Sequence, residues 1–320
     1  MVFSLAVVCK PAQLMSAQCD EAKEDGTMTA TQFWRSIVDP LRVMSARVLH
    51  WEGEDAQLRD EALAVEEPLE VRLNRRSLAI IMRTPGHDRE LALGFLFNEG
   101  LIRSGQEVLR VEEALDADGL PLPNVIEVTL RTSEAQEEQA GGDALCQATF
   151  ERHFAVSSSC GLCGKNSIAD LLSSLAPLEP DTLRLRAETL YALPERLRVA
   201  QAVFSHTGGL HAAALFSLQG DLLLLREDVG RHNAVDKLVG WGLLQGNFPY
   251  REHILMVSGR TSFEIIQKAL SARIPCVAAI SAPSSLAVEL AEQAGITLVG
   301  FLRGRSMNVY THPERLLAAG

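Results

Sequence analysis

Aromatic side chains make up only 5% of this 320-residue chain. With 47% hydrophobic residues drawn mainly from Ala, Leu and Val, that scarcity argues against an aromatic-rich β-sandwich and for helices packed on a sheet. Long apolar runs are missing: none approaches the roughly 20 residues needed to cross a bilayer. The opening Val2-Phe3-Ser4-Leu5-Ala6-Val7-Val8 is short and has no positive flank, so it does not read as a signal peptide. Positive charge is in deficit, 30 Lys and Arg against 41 Asp and Glu for a net −11, which excludes a general nucleic-acid binder but leaves room for a local basic patch near the C-terminus. Cysteine is sparse. Cys9, Cys19, Cys146, Cys160, Cys163 and Cys276 are too few and too scattered for a secreted disulfide framework, which points to a reducing cytoplasm. No long internal repeat is visible.

Residues 1–44 read as a weakly patterned extension, with Met28 and Met44 as alternative starts. Between Leu69 and Thr84 apolar positions alternate: Leu69, Val71 and Leu73, a turn at Asn74-Arg75, then Leu78, Ile80 and Met82, which predicts a hairpin. Asp88 is an expected N-cap for a helix carrying Leu91, Phe95 and Leu96, stopped by Gly100. A strand over Val125–Leu130 and a solvated loop over Ser133–Asp143 complete an α+β N-terminal domain over 45–155. A loop over 156–165 follows, then an α/β domain over 166–320, its first helix capped by Asn166 or Ser167. There, Ala212–Phe216 and Asp221–Leu225 read as a strand pair joined by Gln219-Gly220, and a helix opens after Arg226–Asn233. Strands at Ile254–Val257, Cys276–Ile280 and Ile296–Val299 alternate with helices, which predicts a parallel sheet with right-handed crossovers.

The most chemical segment is Ser157-Ser158-Ser159-Cys160-Gly161-Leu162-Cys163-Gly164-Lys165-Asn166. Serines and glycines make it a mobile loop by composition. Its two thiols could attack, carry sulfur, form a disulfide or supply half a metal site. A structural zinc site commonly takes two such pairs, and only one exists, with His206, His211 and His232 as further ligands in reserve. A thioredoxin-like pair belongs near the N-terminus of a βαβ unit rather than mid-chain. A following helix and Lys165 would lower a thiol pKa and favour sulfur transfer. Glu227 and Asp228 are read as caps or as orienters of Arg231 and His232; Cys276, inside an apolar strand, as packing.

In parallel α/β sheets ligands bind beyond the carboxyl ends of the strands. Here those ends are Ser258-Gly259-Arg260-Thr261-Ser262, Ser281-Ala282-Pro283-Ser284-Ser285 and Phe301-Leu302-Arg303-Gly304-Arg305-Ser306. Helix N-termini and Arg260, Arg303 and Arg305 suit phosphate, so a phosphorylated ligand is expected at Ser258, Arg260, Ser281 and the 301–306 segment.

Several segments in order resemble the FdhD family, the sulfurtransferase accessory proteins of formate dehydrogenases. They are Glu66–Glu70, Arg83–Asp88, Ser159–Lys165, Glu227–Lys237 and Val299–Phe301 through Tyr310–Pro313, so the likeness runs from about residue 45 to the C-terminus. It implies a cytidine-deaminase-like C-terminal α/β domain. The deaminase zinc signature is absent from the sequence, so neither deamination nor its catalytic zinc is implied, and no structural metal is expected. It further implies that Cys160 receives a persulfide from a cysteine desulfurase, with Cys163 assisting. The sulfur passes to the molybdenum cofactor bis(molybdopterin guanine dinucleotide), held through Phe301, Leu302, Arg303, Gly304, Arg305 and Ser306, before insertion into apo formate dehydrogenase. A homodimer with neither nucleic acid nor membrane as partner is implied as well. The alternatives are a non-catalytic chaperone that only carries the cofactor, and a zinc-stabilised binding module.

Overall fold

The computed structural model describes residues 41–131 and 176–317. The loop expected over Ser133–Asp143, the two-cysteine loop, the helix expected after Asn166 and the domain boundaries near residues 155 and 165 lie outside the described residues.

The described residues open with a hairpin that the sequence pattern does not announce, β1 (Val43–Glu52) and β2 (Asp55–Ala64). A four-stranded sheet follows, in the order β4-β3-β6-β5, from β3 (Glu67–Leu73), β4 (Arg76–Arg83), β5 (Val108–Leu115) and β6 (Pro121–Leu130). The β3–β4 turn falls at Asn74-Arg75 as expected, both residues at positive φ (49° and 66°), the two-residue geometry whose twist matches the strands. The inward face of β4 differs from expectation. Val71 pairs with Ala79 but Arg72 pairs with Ser77, so Leu78 is an extra residue. That bulge shifts the alternation by one. Leu78 stays inward, Ile81 takes the next inward position, and Ile80 (71% exposed) and Met82 (48%) turn out on this edge strand.

The first helix, α1 (Asp88–Asn98), starts one residue earlier than expected. His87 occupies the cap position in a left-handed conformation, and Asp88 is the first helical residue. Its carboxylate does not cap. Buried Arg83 takes it in a fork, Nε donating to Oδ1 at 3.0 Å and Nη2 to Oδ2 at 2.9 Å, a charge-assisted pairing stronger than a backbone cap.

The second layer system is a six-stranded sheet in the order β13-β12-β11-β10-β8-β9. Its strands are β8 (His211–Ser217), β9 (Leu222–Asp228), β10 (His253–Val257), β11 (Cys276–Ala279), β12 (Thr297–Arg303) and β13 (Ser306–Thr311). The expected parallel core is present as β10-β11-β12, but both flanks are antiparallel: β8 against β10 and β9, and β13 against β12. Short links at Leu218–Asp221 and Gly304-Arg305 leave room only for hairpins. Alternation sorts the core by face. Leu215, Leu255, Val257, Val277 and Leu298 meet α4 (Arg231–Gln245), α5 (Phe263–Ser271) and α6 (Ser285–Ala294). Phe216, Ile254, Met256, Cys276 and Val299 meet α2 (Ala187–Ala200) through Leu190, Leu193 and Leu197. A short α3 (Ala202–Thr207) follows α2, and the two-residue strands β7 (Leu185–Arg186), just before α2, and β14 (Leu316–Leu317), near the C-terminal end, pair in parallel.

The two systems meet through α1 and α4. A Cβ on Gly94 would overlap the Asp236 carbonyl, and one on Gly240 the Glu90 carbonyl, so each helix presents a glycine to the other's backbone. Beside this contact, Lys237 Nζ lies 2.7 Å from Asp228 Oδ2 and donates to Thr84 O at 2.9 Å, all of it buried. Asp228 also accepts from Thr84 N, Gly230 N and Asn233 Nδ2. Among the described residues no helix is long and apolar enough to cross a membrane.

Candidate functional site

The carboxyl ends of the parallel strands are stitched to one another by backbone. Thr261 N donates to Ala282 O at 3.2 Å, Ser284 N to Thr261 O at 2.9 Å, and Phe301 N to Ser281 O at 3.2 Å. The loops 258–262 and 281–285 and the 301–306 hairpin therefore form one surface. Beside it opens a cavity of about 650 Å³, bounded by Tyr191, Arg198, His211, Ser258, Ile280 and Gly304 among others.

The expected ligand residues divide by what the backbone allows. Ser258 lines the cavity and holds β8 in place, its Oγ accepting from Ala212 N at 2.9 Å and its own N–H donating to Ala212 O. Gly304 lines it too, at the hairpin turn with φ 53°. Phe301 sits at φ 51° and is partly exposed, while Leu302 is wholly buried in the core and open to a ligand neither by side chain nor by backbone. Arg303 reaches the carbonyl of cavity-lining Ile280 at 3.4 Å. The Arg305 guanidinium lies 5.8 Å from the centre of the Tyr191 ring, a cation–π contact at the cavity wall. Ser306 pairs with Arg303 across the hairpin. Ser281 lends its carbonyl to Phe301, and Arg260 is exposed beside His211. Cys160 and Cys163, with Cys9, Cys19 and Cys146, lie outside the described residues. Cys276 is fully buried, and burial pushes its thiol up to about 12, against the opposing pull of Arg315.

The histidines take separate places. His206 Nδ1 sits 2.7 Å from Ala202 O within α3. His232 Nε2 lies 3.1 Å from Ser262 Oγ and 3.6 Å from Glu264 Oε2; burial first, then Arg231 and Lys268, lower its pKa. His211 lines the cavity. Among the described residues no three of His, Cys, Asp and Glu gather as metal ligands.

One wall of the cavity escaped the sequence reading. Tyr191, Glu195, Arg198, Gln201 and Phe204 come from α2 and α3, which a segment of mixed Leu and Arg did not announce. The Leu190, Leu193, Leu197 spacing carries the signal, and Pro194 inside the helix obscures it. Glu227 positions this wall. Its Oε2 accepts from Val203 N at 3.0 Å and Oε1 from Phe204 N at 2.8 Å, which satisfies the free donors at the start of α3. The two readings of Glu227 and Asp228 thus both occur, on different partners: Glu227 caps a helix and Asp228 holds a cation, though that cation is Lys237.

Comparison with known proteins bears on this geometry. The profile of the FdhD/NarQ family matches residues 64–317. A "Sulfur carrier protein FdhD" from Streptomyces avermitilis is 52% identical over 262 residues, covering 81% of this chain and 90% of that protein. Its namesake in Mycolicibacterium paratuberculosis is 48% identical over 274 residues, 84% of this chain and 97% of that one. An archaeal namesake from Sulfolobus acidocaldarius is 47% identical, covering 80% and 92%. A crystal structure from Desulfotalea psychrophila, named for formate dehydrogenase accessory function, superposes with a TM-score of 0.65 at 24% identity over 86% of this chain and all of that one, a likeness of fold.

Proposed function

The chain belongs to the FdhD/NarQ family, and from that premise we propose that it is a sulfur carrier that loads a molybdenum cofactor for formate dehydrogenase. In this reading Cys160 receives sulfane sulfur from a cysteine desulfurase as a persulfide and Cys163 assists its release. The cargo is bis(molybdopterin guanine dinucleotide), and the chain acts as a sulfurtransferase in the cytoplasm, as a homodimer. The observation that carries it is the pairing of close relatives named as sulfur carriers with a cavity at the strand ends, bordered by Ser258, Gly304 and the arginine-bearing hairpin. The antiparallel β8–β9 flank followed by two parallel crossovers supports a cytidine-deaminase-like description of the C-terminal layer.

The residues in view bind and orient the cargo. Arg303 and Arg305 offer guanidinium forks to its phosphates, Ser258 a hydroxyl, and the Gly304-Arg305 turn its backbone N–H groups. Tyr191 fixes Arg305 from below, and Glu227 holds the α3 wall. The test is sulfur loading: incubate wild type and Cys160→Ala with a cysteine desulfurase and labelled cysteine, then measure reactivation of a sulfur-free formate dehydrogenase. Label and reactivation are expected in wild type and neither in the variant. Undiminished labelling of Cys160→Ala would overturn Cys160 as the carrier, and full reactivation by the unlabelled variant would leave only a cofactor chaperone.

A further inference from the structure

At the edge of the cavity, cavity-lining His211 lies beside two arginines, Arg231 and Arg260, neither of which forms an ion pair among the described residues. His211 opens β8 and lies against the loop that follows β10: a Cβ placed on Gly259 would stand 3.2 Å from His211 Nδ1 and 3.6 Å from Arg231 Cδ. Glycine at 259 is thus what lets both side chains close on the same point. Arg231, first residue of α4, has its Nε shielded from solvent and without a hydrogen-bond partner. Arg260 sits close enough to act on His211 electrostatically. Neither arginine has a carboxylate within ion-pairing distance among the described residues.

The neighbouring acids are engaged elsewhere. Asp228, opposite His211 in the β8–β9 register, is saturated by Lys237, Thr84, Gly230 and Asn233. Glu264 stands with His232 and Ser262 and feels Arg231 only at longer range, without an ion pair. Burial, Arg231 and Arg260 lower the His211 pKa against a smaller opposing pull from Asp228, so the imidazole meets a ligand as a neutral donor rather than a third cation. The shielded Nε–H of Arg231 has no acceptor and is costly to leave so unless a ligand supplies one, while exposed Arg260 stands free beside it to add a second guanidinium.

We propose that Arg231, Arg260 and His211 form a subsite for a phosphoryl group. Guanidinium forks match tetrahedral oxyanions, and the imidazole N–H adds a third donor. The proposal rests on the reading of the cavity as a cargo site, and it extends that site to Arg231 and His211, beyond the 301–306 hairpin. The phosphoryl group belongs either to a nucleotide diphosphate or to free phosphate.

Isothermal titration at low salt separates these. GDP, guanosine and inorganic phosphate are titrated into wild type, Arg231→Gln, Arg260→Gln and His211→Asn, with Arg186→Gln, which does not line this cavity, as a control. GDP affinity is expected to fall roughly tenfold or more in each arginine variant, as for loss of a charged hydrogen bond. Guanosine binding should not change, and the control should match wild type. Arg260 is exposed, so its variant remains informative if Arg231→Gln fails to fold. Free phosphate binding as tightly as GDP, with the same losses, assigns the subsite to phosphate itself. GDP affinity unchanged in both arginine variants but lost in Arg303→Gln overturns the subsite and leaves the carrier reading standing. Absence of GDP and phosphate binding in wild type overturns it as well, and the Cys160 labelling assay then decides separately whether sulfur is carried.

Discussion

Replacing Lys237 by Met tests the junction between the two layer systems. The ammonium group is fully buried, 2.7 Å from Asp228 Oδ2 and bonded to Thr84 O. Its removal leaves a buried carboxylate that still accepts from Thr84 N at 3.3 Å, Gly230 N at 2.8 Å and Asn233 Nδ2 at 2.9 Å. Three neutral donors soften the loss, so the cost belongs at the lower end of the ~3–5 kcal/mol that breaking a buried pair incurs. The reverse change, Asp228→Asn, strands the ammonium with one carbonyl and turns an amide N–H₂ toward other donors, so its cost belongs at the upper end. The double variant removes both charges and should fall about 2–3 kcal/mol short of the sum of the singles, the coupling expected of groups in one network. Urea unfolding followed by circular dichroism measures all four corners. A loss of ~3 kcal/mol at a slope of ~3 kcal/mol/M moves the midpoint by about 1 M. Additive single effects, with coupling under about 0.5 kcal/mol, or Lys237→Met costlier than Asp228→Asn, would refute the reasoning.

Gly94→Ala and Gly240→Ala each force a methyl into the opposing backbone. The helix-propensity gain of about 1 kcal/mol is outweighed by overpacking, and a net loss of ~1–3 kcal/mol should appear in the same unfolding assay. Glu90 on α1 is raised by burial but brought below the ordinary carboxylate value by the fork from Arg226, at 2.5 and 2.7 Å, with His87 adding to it. A depressed folded pKa contributes stability that is present above the unfolded value of about 4.3 and lost as pH falls through the folded one. Acid titration of stability should therefore be shallower between pH 5 and 3 in Glu90→Gln than in wild type. Cys276, with its thiol near 12, should resist Ellman's reagent at pH 8 in the native protein and react only after denaturation. Labelling of native Cys276 at the rate of a free thiol would contradict its burial.

Much of the second layer was open to sequence reading because its strands are buried on both faces and stand out as short apolar runs, Ile254–Val257 and Cys276–Ala279 above all. The positions of the strand-end loops followed from the crossover rule. What remained hidden depended on contacts between distant residues. The bulge at Leu78 inverted the face of β4 because pairing register, not local alternation, decides which side chain turns inward. Asp88 failed as a cap because Arg83, five residues earlier in sequence, was better placed to take it. The α2 wall was obscured by Pro194; the β8–β9 pair was legible from its short Gln219-Gly220 link, whereas β13, folded back on β12 through Gly304-Arg305, was read only as a strand end. Of the site, the arginines and serines at strand ends were legible by type; His211 and Arg231 acquire their meaning only from the bare Gly259 that brings them together.

Adjacent residues on a strand point to opposite sides, and the last two of β9 put this to use. Glu227 turns one way and holds the start of α3, which walls the cavity; Asp228 turns the other way and holds Thr84 and Lys237, which anchor the four-stranded layer. The end of β9 is thus a common fulcrum. The seat of the cavity's α3 wall and the seat of the N-terminal sheet are therefore neighbouring residues of one strand, joined by a single peptide bond rather than through the hydrophobic core.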